Sequence, residues 1–219
     1  MSLNRPVIQD GPTMRQIARG DTLAGADILP GTISTAAITI TGAQLAQGYI
    51  LRNPAGSATD TIDSAANIIA SLLAGTGLNN VQPGTTFKCK WIVSTAQTTT
   101  VQATANTGVT VTNGAIAASG VKDFLVTVTN GTPAKTFTGN TTNASAVITG
   151  MTQEQTSQLS VGMVVTNAVN GLQGTTIISI QPGVGVTLSG NANATSSTPG
   201  VAIAFSPTVT VYGIGQGVL

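Results

Sequence analysis

From Thr136 to Leu219 the chain carries one charged side chain, Glu154. The segment is written in Thr, Ser, Asn, Gly, Val, Ala and Ile, in runs such as TTIISI, VGVTLSG, VAIAF and TVTVYGI. β-Branched residues broken by Gly and Asn are the composition of short strands and tight turns. Catalysis needs clustered acids, bases and nucleophile–base pairs. Nucleic-acid binding needs Lys and Arg. A surface of hydroxyls and amides suits neither. It suits a rigid β-structure that packs against copies of itself or covers something else.

The rest of the composition agrees. The chain has 219 residues, is 41% hydrophobic but only 3% aromatic, so its core is aliphatic. Charged residues make up 7%, against roughly 25% in an average soluble protein. With a net charge of +1, charge repulsion contributes little to solubility. Permanent assembly, with much of the surface covered by neighbours, would compensate. The alternative is an extracellular β-protein whose Thr and Asn keep it hydrated. Histidine is absent, which removes the side chain best suited to proton transfer near neutral pH and the commonest metal ligand. A single cysteine, Cys89, excludes an internal disulfide framework and a Cys-rich zinc site. No run approaches the roughly 18 apolar residues of a membrane span. The first residues, MSLNRPVIQDGPTMRQIARG, lack the apolar stretch of a secretory signal. A particle assembled inside a cell and released by lysis would reconcile that with the extracellular-looking composition.

Three regions follow. Residues 1–30 hold Arg5, Arg15 and Arg19, three of the four arginines, punctuated by Gly and Pro. They read as an extended N-terminal docking arm without a core of its own, the alternative being a disordered tail. Residues 31–135 read as a β-module. TAAITITG alternates like a strand, YIL suggests another, and TTFKCKWIV sets Phe87, Cys89 and Trp91 against Lys88 and Lys90. In VKDFLVTVTNG, Val121, Asp123, Leu125 and Thr127 share one face, and Lys122, Phe124, Val126 and Val128 share the other. One helix is signalled near 61–74: Ala65, Ile68, Ile69, Leu72 and Leu73 have helical spacing, Thr61 or Asp63 suits its start, and Gly75 its end. Asn113-Gly114 and Asn130-Gly131 are hairpin or turn signals. Residues 136–219 read as a second, uncharged β-module: SAVITG, a helical turn with a Thr152/Gln155 capping box, and five further short strands. The expected fold is therefore mainly β: two small sandwich- or barrel-like modules, one helix in the first, preceded by the arm.

Few residues invite a chemical role. Asp60 and Asp63 are the closest acidic pair; at a helix start they suit capping and the helix dipole, or, with loop carbonyls, a calcium site. Cys89, on the face of Phe87 and Trp91, reads as a buried thiol. Trp91, Tyr49 and Tyr212 could form a sugar-binding platform, but Trp91's strand position favours the core, leaving Tyr212 the better exposed contact. Asn140, Asn143 and Asn193 stand in glycosylation-type triplets that this composition produces by chance. The Gly183/Gly185 and Gly213/Gly215 pairs open no helix and read as turns or bulges.

The stretch RNPAGSATDTIDSAANIIASLLAG, followed by TTTVQATANTGVTVTNG and DFLVTVTNG, resembles a domain of virion proteins of tailed bacteriophages. ITGMTQEQTSQLSVGMVVTN and TTIISIQPGVGVTLSGNANAT resemble a small β-unit recurring in phage structural proteins. The resemblance covers about residues 50–205, a coarse match to which the β-pattern contributes. It implies a non-enzymatic virion part on the exterior of the particle, commonly a homotrimer, without cofactor, metal, nucleic-acid or membrane partner. Such a part would be a capsid decoration (cement) protein bound to the major capsid protein, or a head- or tail-fibre subunit binding host surface glycans. The arm's docking residues would be Arg5, Val7, Ile8, Arg15, Ile17 and Arg19, with Arg15 and Arg19 facing partner carboxylates and Val7, Ile8 and Ile17 filling apolar grooves.

Overall fold

The computed structural model describes residues 7–10, 13–16, 33, 37–74, 78–196 and 200–218. The fold is mainly β and divides into several separate sheets. Near the N-terminus β1 (Val7–Asp10) pairs antiparallel with β2 (Thr13–Gln16), in a two-stranded sheet of its own. The chain then runs through β3 (Thr39–Ile40), α1 (Gly42–Ala46), β4 (Tyr49–Arg52), β5 (Ala58–Ile62), α2 (Ala65–Leu73), β6 (Thr86–Val93), β7 (Thr99–Ala103), β8 (Val109–Thr112), β9 (Ala115–Ile116) and β10 (Gly120–Asn130). A second group follows: β11 (Lys135–Gly139), β12 (Val147–Thr149), α3 (Gln153–Ser157), β13 (Val164–Val165), β14 (Ile177–Gln181), β15 (Gly185–Leu188) and β16 (Val201–Ser206). Last comes β17 (Thr208–Val218).

The longest strand, β10, is the spine of a five-stranded sheet ordered β4-β6-β10-β17-β8. It pairs antiparallel with β6 and β17, while β4 and β8 join the outer sides in parallel. A four-stranded sheet ordered β3-β5-β7-β9 packs with α1 and α2 against its inner face. The shared core takes every second residue of the strands: Cys89, Trp91 and Val93 from β6, Phe124, Val126 and Val128 from β10, Val209 and Val211 from β17. Trp91 is fully buried and meets Phe124 edge-to-face, with centroids 5.5 Å apart. A second core fills the other module, whose two three-stranded sheets are ordered β11-β16-β13 and β12-β15-β14. Phe205, Met163, Leu172 and Ile203 lie at its centre. There α3 starts on the expected capping box, Thr152 accepting from Gln155 N and the Gln155 side chain accepting from Thr152 N.

Four expectations need correction. The helix begins at Ala65, not near residue 61, because Thr61 belongs to β5 and Ser64 is the cap, accepting from Asn67 N. Gly75, its expected stop, lies outside the described residues. The first module holds two helices: GAQLA forms α1, capped by Thr41 and Gln44. Asn113-Gly114 joins no hairpin, since β8 pairs with β17 and β9 with β7. The final strand TVTVYGI leaves the second module and pairs with β10 along its length. Residues 131–207 are thus inserted between two neighbouring strands of the first sheet. Asn130 secures the crossing: its amide donates to Ser160 Oγ and the Val161 carbonyl, both at 2.8 Å, and its Oδ1 accepts from Thr132 N. At Gly131 a Cβ would collide with the Val81 carbonyl, which is why the turn needs glycine there.

Candidate functional site

The expected docking residues fall at one end of the chain. Arg5, Ile17 and Arg19 lie outside the described residues. Val7 and Ile8 are on β1 and Arg15 is on β2, with Ile8 directly opposite Arg15 and Val7 opposite Gln16. Over residues 7–16 the chain therefore doubles back instead of running as one extended arm. Among the described residues Ile33 ties this region to the main body: it bridges Arg52 and exchanges backbone bonds with Leu51 and Asn53.

Among the described residues one ion pair is deeply buried; it is close by, and sequence reasoning missed it. Arg52 ends β4 and Asp60 is the middle of β5, so the pair links the two sheets. Arg52 Nε donates to Asp60 Oδ2 at 2.7 Å and Nη2 to Oδ1 at 2.8 Å; both side chains are fully buried. Nη1 donates to the Ile33 carbonyl at 2.7 Å. Burial pushes the Asp60 carboxyl above its ordinary value, against the opposing pull of the Arg52 guanidinium. Asp60 thus neither caps a helix nor joins Asp63 at a cation site. Asp63 Oδ1 accepts from Ser64 N and Asn67 Nδ2 just ahead of α2.

The other buried ionisable groups are also committed to structure. Lys122 is 3% exposed, on the inner face of β10. Its Nζ donates to Asn113 Oδ1 at 3.0 Å and the Ala115 carbonyl at 2.7 Å, and lies 6.0 Å from the centre of the Phe124 ring. Desolvation lowers its pKa. The alternation that put Lys122 on the face of Phe124 and Val126 was the available signal for this burial. Cys89 is buried, and loss of water, with Asp123 nearby, pushes its thiol up to about 12. The expected inert thiol is what the geometry gives.

The aromatic platform does not assemble. Trp91 points inward, fully buried, with its Nε1 making no hydrogen bond. Tyr49 and Tyr212 occupy the outward positions of their strands, and Tyr212 is 47% exposed. Several open hollows remain, two of which flank the second module or α2. One of about 340 Å³ lies where the modules meet, lined by Asn79, Lys135 and Gln158 among others. One of about 420 Å³ lies beside Leu72, Leu78 and Val81. Neither holds an acid–base pair. Among the described residues no group of three or more His, Cys, Asp or Glu could hold a metal ion, and no helix is long and apolar enough to cross a membrane.

No protein-family model, no curated protein and no solved structure matches this chain.

Proposed function

We propose that the protein is a structural component of a bacteriophage particle, bound to the outside of the capsid through the major capsid protein and stabilising the shell. The observation that carries this reading is where the ionisable groups sit. Arg52 and Asp60 are spent on each other, Cys89 is sealed in the core, and Lys122 is bonded to neutral oxygens. No nucleophile is paired with a base among the described residues. The second module adds its own core and an almost uncharged surface of hydroxyls and amides on which Val147, Val161, Ile178 and Val184 are exposed. The motif resemblance to phage virion proteins points the same way. The protein works by multivalent docking: several copies and several contacts engage at once, so weak individual contacts sum to durable attachment.

Residues 1–30 supply the capsid contact, with Arg15 and Arg19 facing partner carboxylates. The test is a chain lacking residues 2–28, offered to particles stripped of the native protein. It should fold, give an unchanged melt and fail to decorate. Equal decoration by the truncated chain would assign docking to the β-modules. Electron micrographs of particles labelled on this protein should place it on the shell; label confined to the tail would replace this reading with a glycan-binding fibre.

A further inference from the structure

A sheet with one face in the core ordinarily turns polar side chains to water on the other. One part of the five-stranded sheet departs from that rule, beside an outward row of Thr86, Thr127 and Thr210 that obeys it. Strand pairing lines up its outward residues in rows. Leu51, Ile92 and Val121 form one row across β4, β6 and β10. Tyr49, Lys90, Asp123 and Ile214 form the next, extending onto β17. Lys88, Leu125 and Tyr212 form the third. None of these apolar side chains belongs to either core cluster. Tyr212 is exposed and the other apolar side chains are half-buried, interleaved with Lys88, Lys90 and Asp123, so the face mixes apolar area with charge as an interaction surface does.

The charges on this face say what fits it. Lys90 and Asp123 sit side by side near its middle, 3.9 Å apart, with side chains 49% and 38% exposed. Beside them is a shallow hollow of about 250 Å³ lined by Val121, Ile214 and Gly217. A closed symmetric pair needs a surface complementary to itself. A two-fold axis along the strands, midway between β6 and β10, lays β6 of one copy over β10 of the other. Lys90 then meets Asp123 of the second copy, and Asp123 meets its Lys90. Ile92 falls over Val121, Tyr49 over Ile214, and the Lys88 stem over Leu125. The sheets lie nearly aligned, as in sandwich packing. We infer that this outer face is a self-pairing surface, through which two copies of the chain associate back to back. It stands independently of what the particle is, and it puts a two-fold pair where the sequence led to a threefold assembly.

Size sets the conditions of the test. Five strands about 4.8 Å apart and some five residues deep give a face of roughly 400 Å². That is small beside the roughly 800 Å² per partner of a standard interface, so association should fall in the micromolar range, and sedimentation is run up to about 100 μM. The full chain should approach twice its 21.8 kDa mass. Lys90→Glu makes the face acidic and Asp123→Lys makes it basic. Each variant should fold, by its melt, and self-associate at least tenfold more weakly, because like charges would oppose across the axis. Mixed one to one, the two variants should pair with each other, since every cross contact is then of opposite sign. A monomer at 100 μM overturns the proposal. So does an oligomer of any size that both variants leave unchanged, or a mixture that stays monomeric.

Discussion

Replacing Arg52 by Met should cost about 3–5 kcal/mol of stability, the range for removing one partner of a buried ion pair. Both carboxylate oxygens of Asp60 take their hydrogen bonds from Arg52, at 2.7 and 2.8 Å, and neither side chain reaches solvent. Methionine matches much of the arginine stem, so the cost is chiefly that of a stranded carboxylate. Urea unfolding followed by Trp91 fluorescence reads it well, because Trp91 is the only tryptophan and lies in the same core. The double variant Arg52→Met/Asp60→Leu should recover most of the loss, since apolar groups in place of a buried pair are often neutral or better. The loss should also depend on pH. Without Arg52 the Asp60 carboxyl rises further above 3.8 than burial already lifts it. A group with a raised folded pKa stabilises the fold below its unfolded pKa, and that contribution is lost as pH rises through the folded value. The deficit of the single variant should therefore be smallest near pH 4 and largest at neutral pH. A loss under about 1 kcal/mol at pH 7 would refute the reasoning, since removing a partner from a buried pair cannot be that cheap. A double variant no better than the single would show that the bond to Ile33 O, not the carboxylate, carries the energy.

Two further outcomes are expected. Trp91→Ala should lower stability by about 3–5 kcal/mol, the range for a large core aromatic; an unchanged melt would mean the indole is solvated. Cys89 should resist thiol reagents in the native state at pH 8 and react once the protein is unfolded. Its folded pKa of about 12 lies above the ordinary 9.0, so stability should fall between pH 9 and 12 by up to about 1.4 kcal/mol per unit. Cys89→Ala should remove that fall. Lys122, whose pKa is lowered below 10.5, acts in the opposite sense and should leave the variant gaining stability as pH rises toward 10.5. A variant that keeps the wild-type alkaline loss would place the titrating group elsewhere.

What the sequence made legible was local. Period-two alternation placed β6 and β10 and their inward faces, and the Thr152/Gln155 spacing placed α3. The same spacing at Thr41/Gln44 marks α1, and only its brevity hid it. The start of α2 was misread because Asp60-Thr61 serves equally well as a helix entry or a strand end. What decides is Arg52, eight residues earlier on a strand of another sheet, and nothing local signals that partnership. Asn113-Gly114 was misread for a related reason. The dipeptide fixes a tight turn, with Asn113 at φ 56°, but not which strands flank it. Its side chain serves instead to hold Lys122 Nζ and to bond the Gly213 carbonyl.

The departure of β17 from the second module has a mechanical consequence. A domain attached by one linker can swing; this one is attached by two, and both ends leave strands that are paired with each other as far as Asn130 and Thr208. The Thr129 hydroxyl donates to that of Thr208 at 2.8 Å, and the Asn130 amide reaches across to Ser160 and Val161. These junction bonds join neutral groups. Salt screens exposed charges but acts little on bonds between neutral amides and hydroxyls. The link between the second module and the first sheet should therefore keep these bonds over a wide range of ionic strength, because none of them depends on a charge.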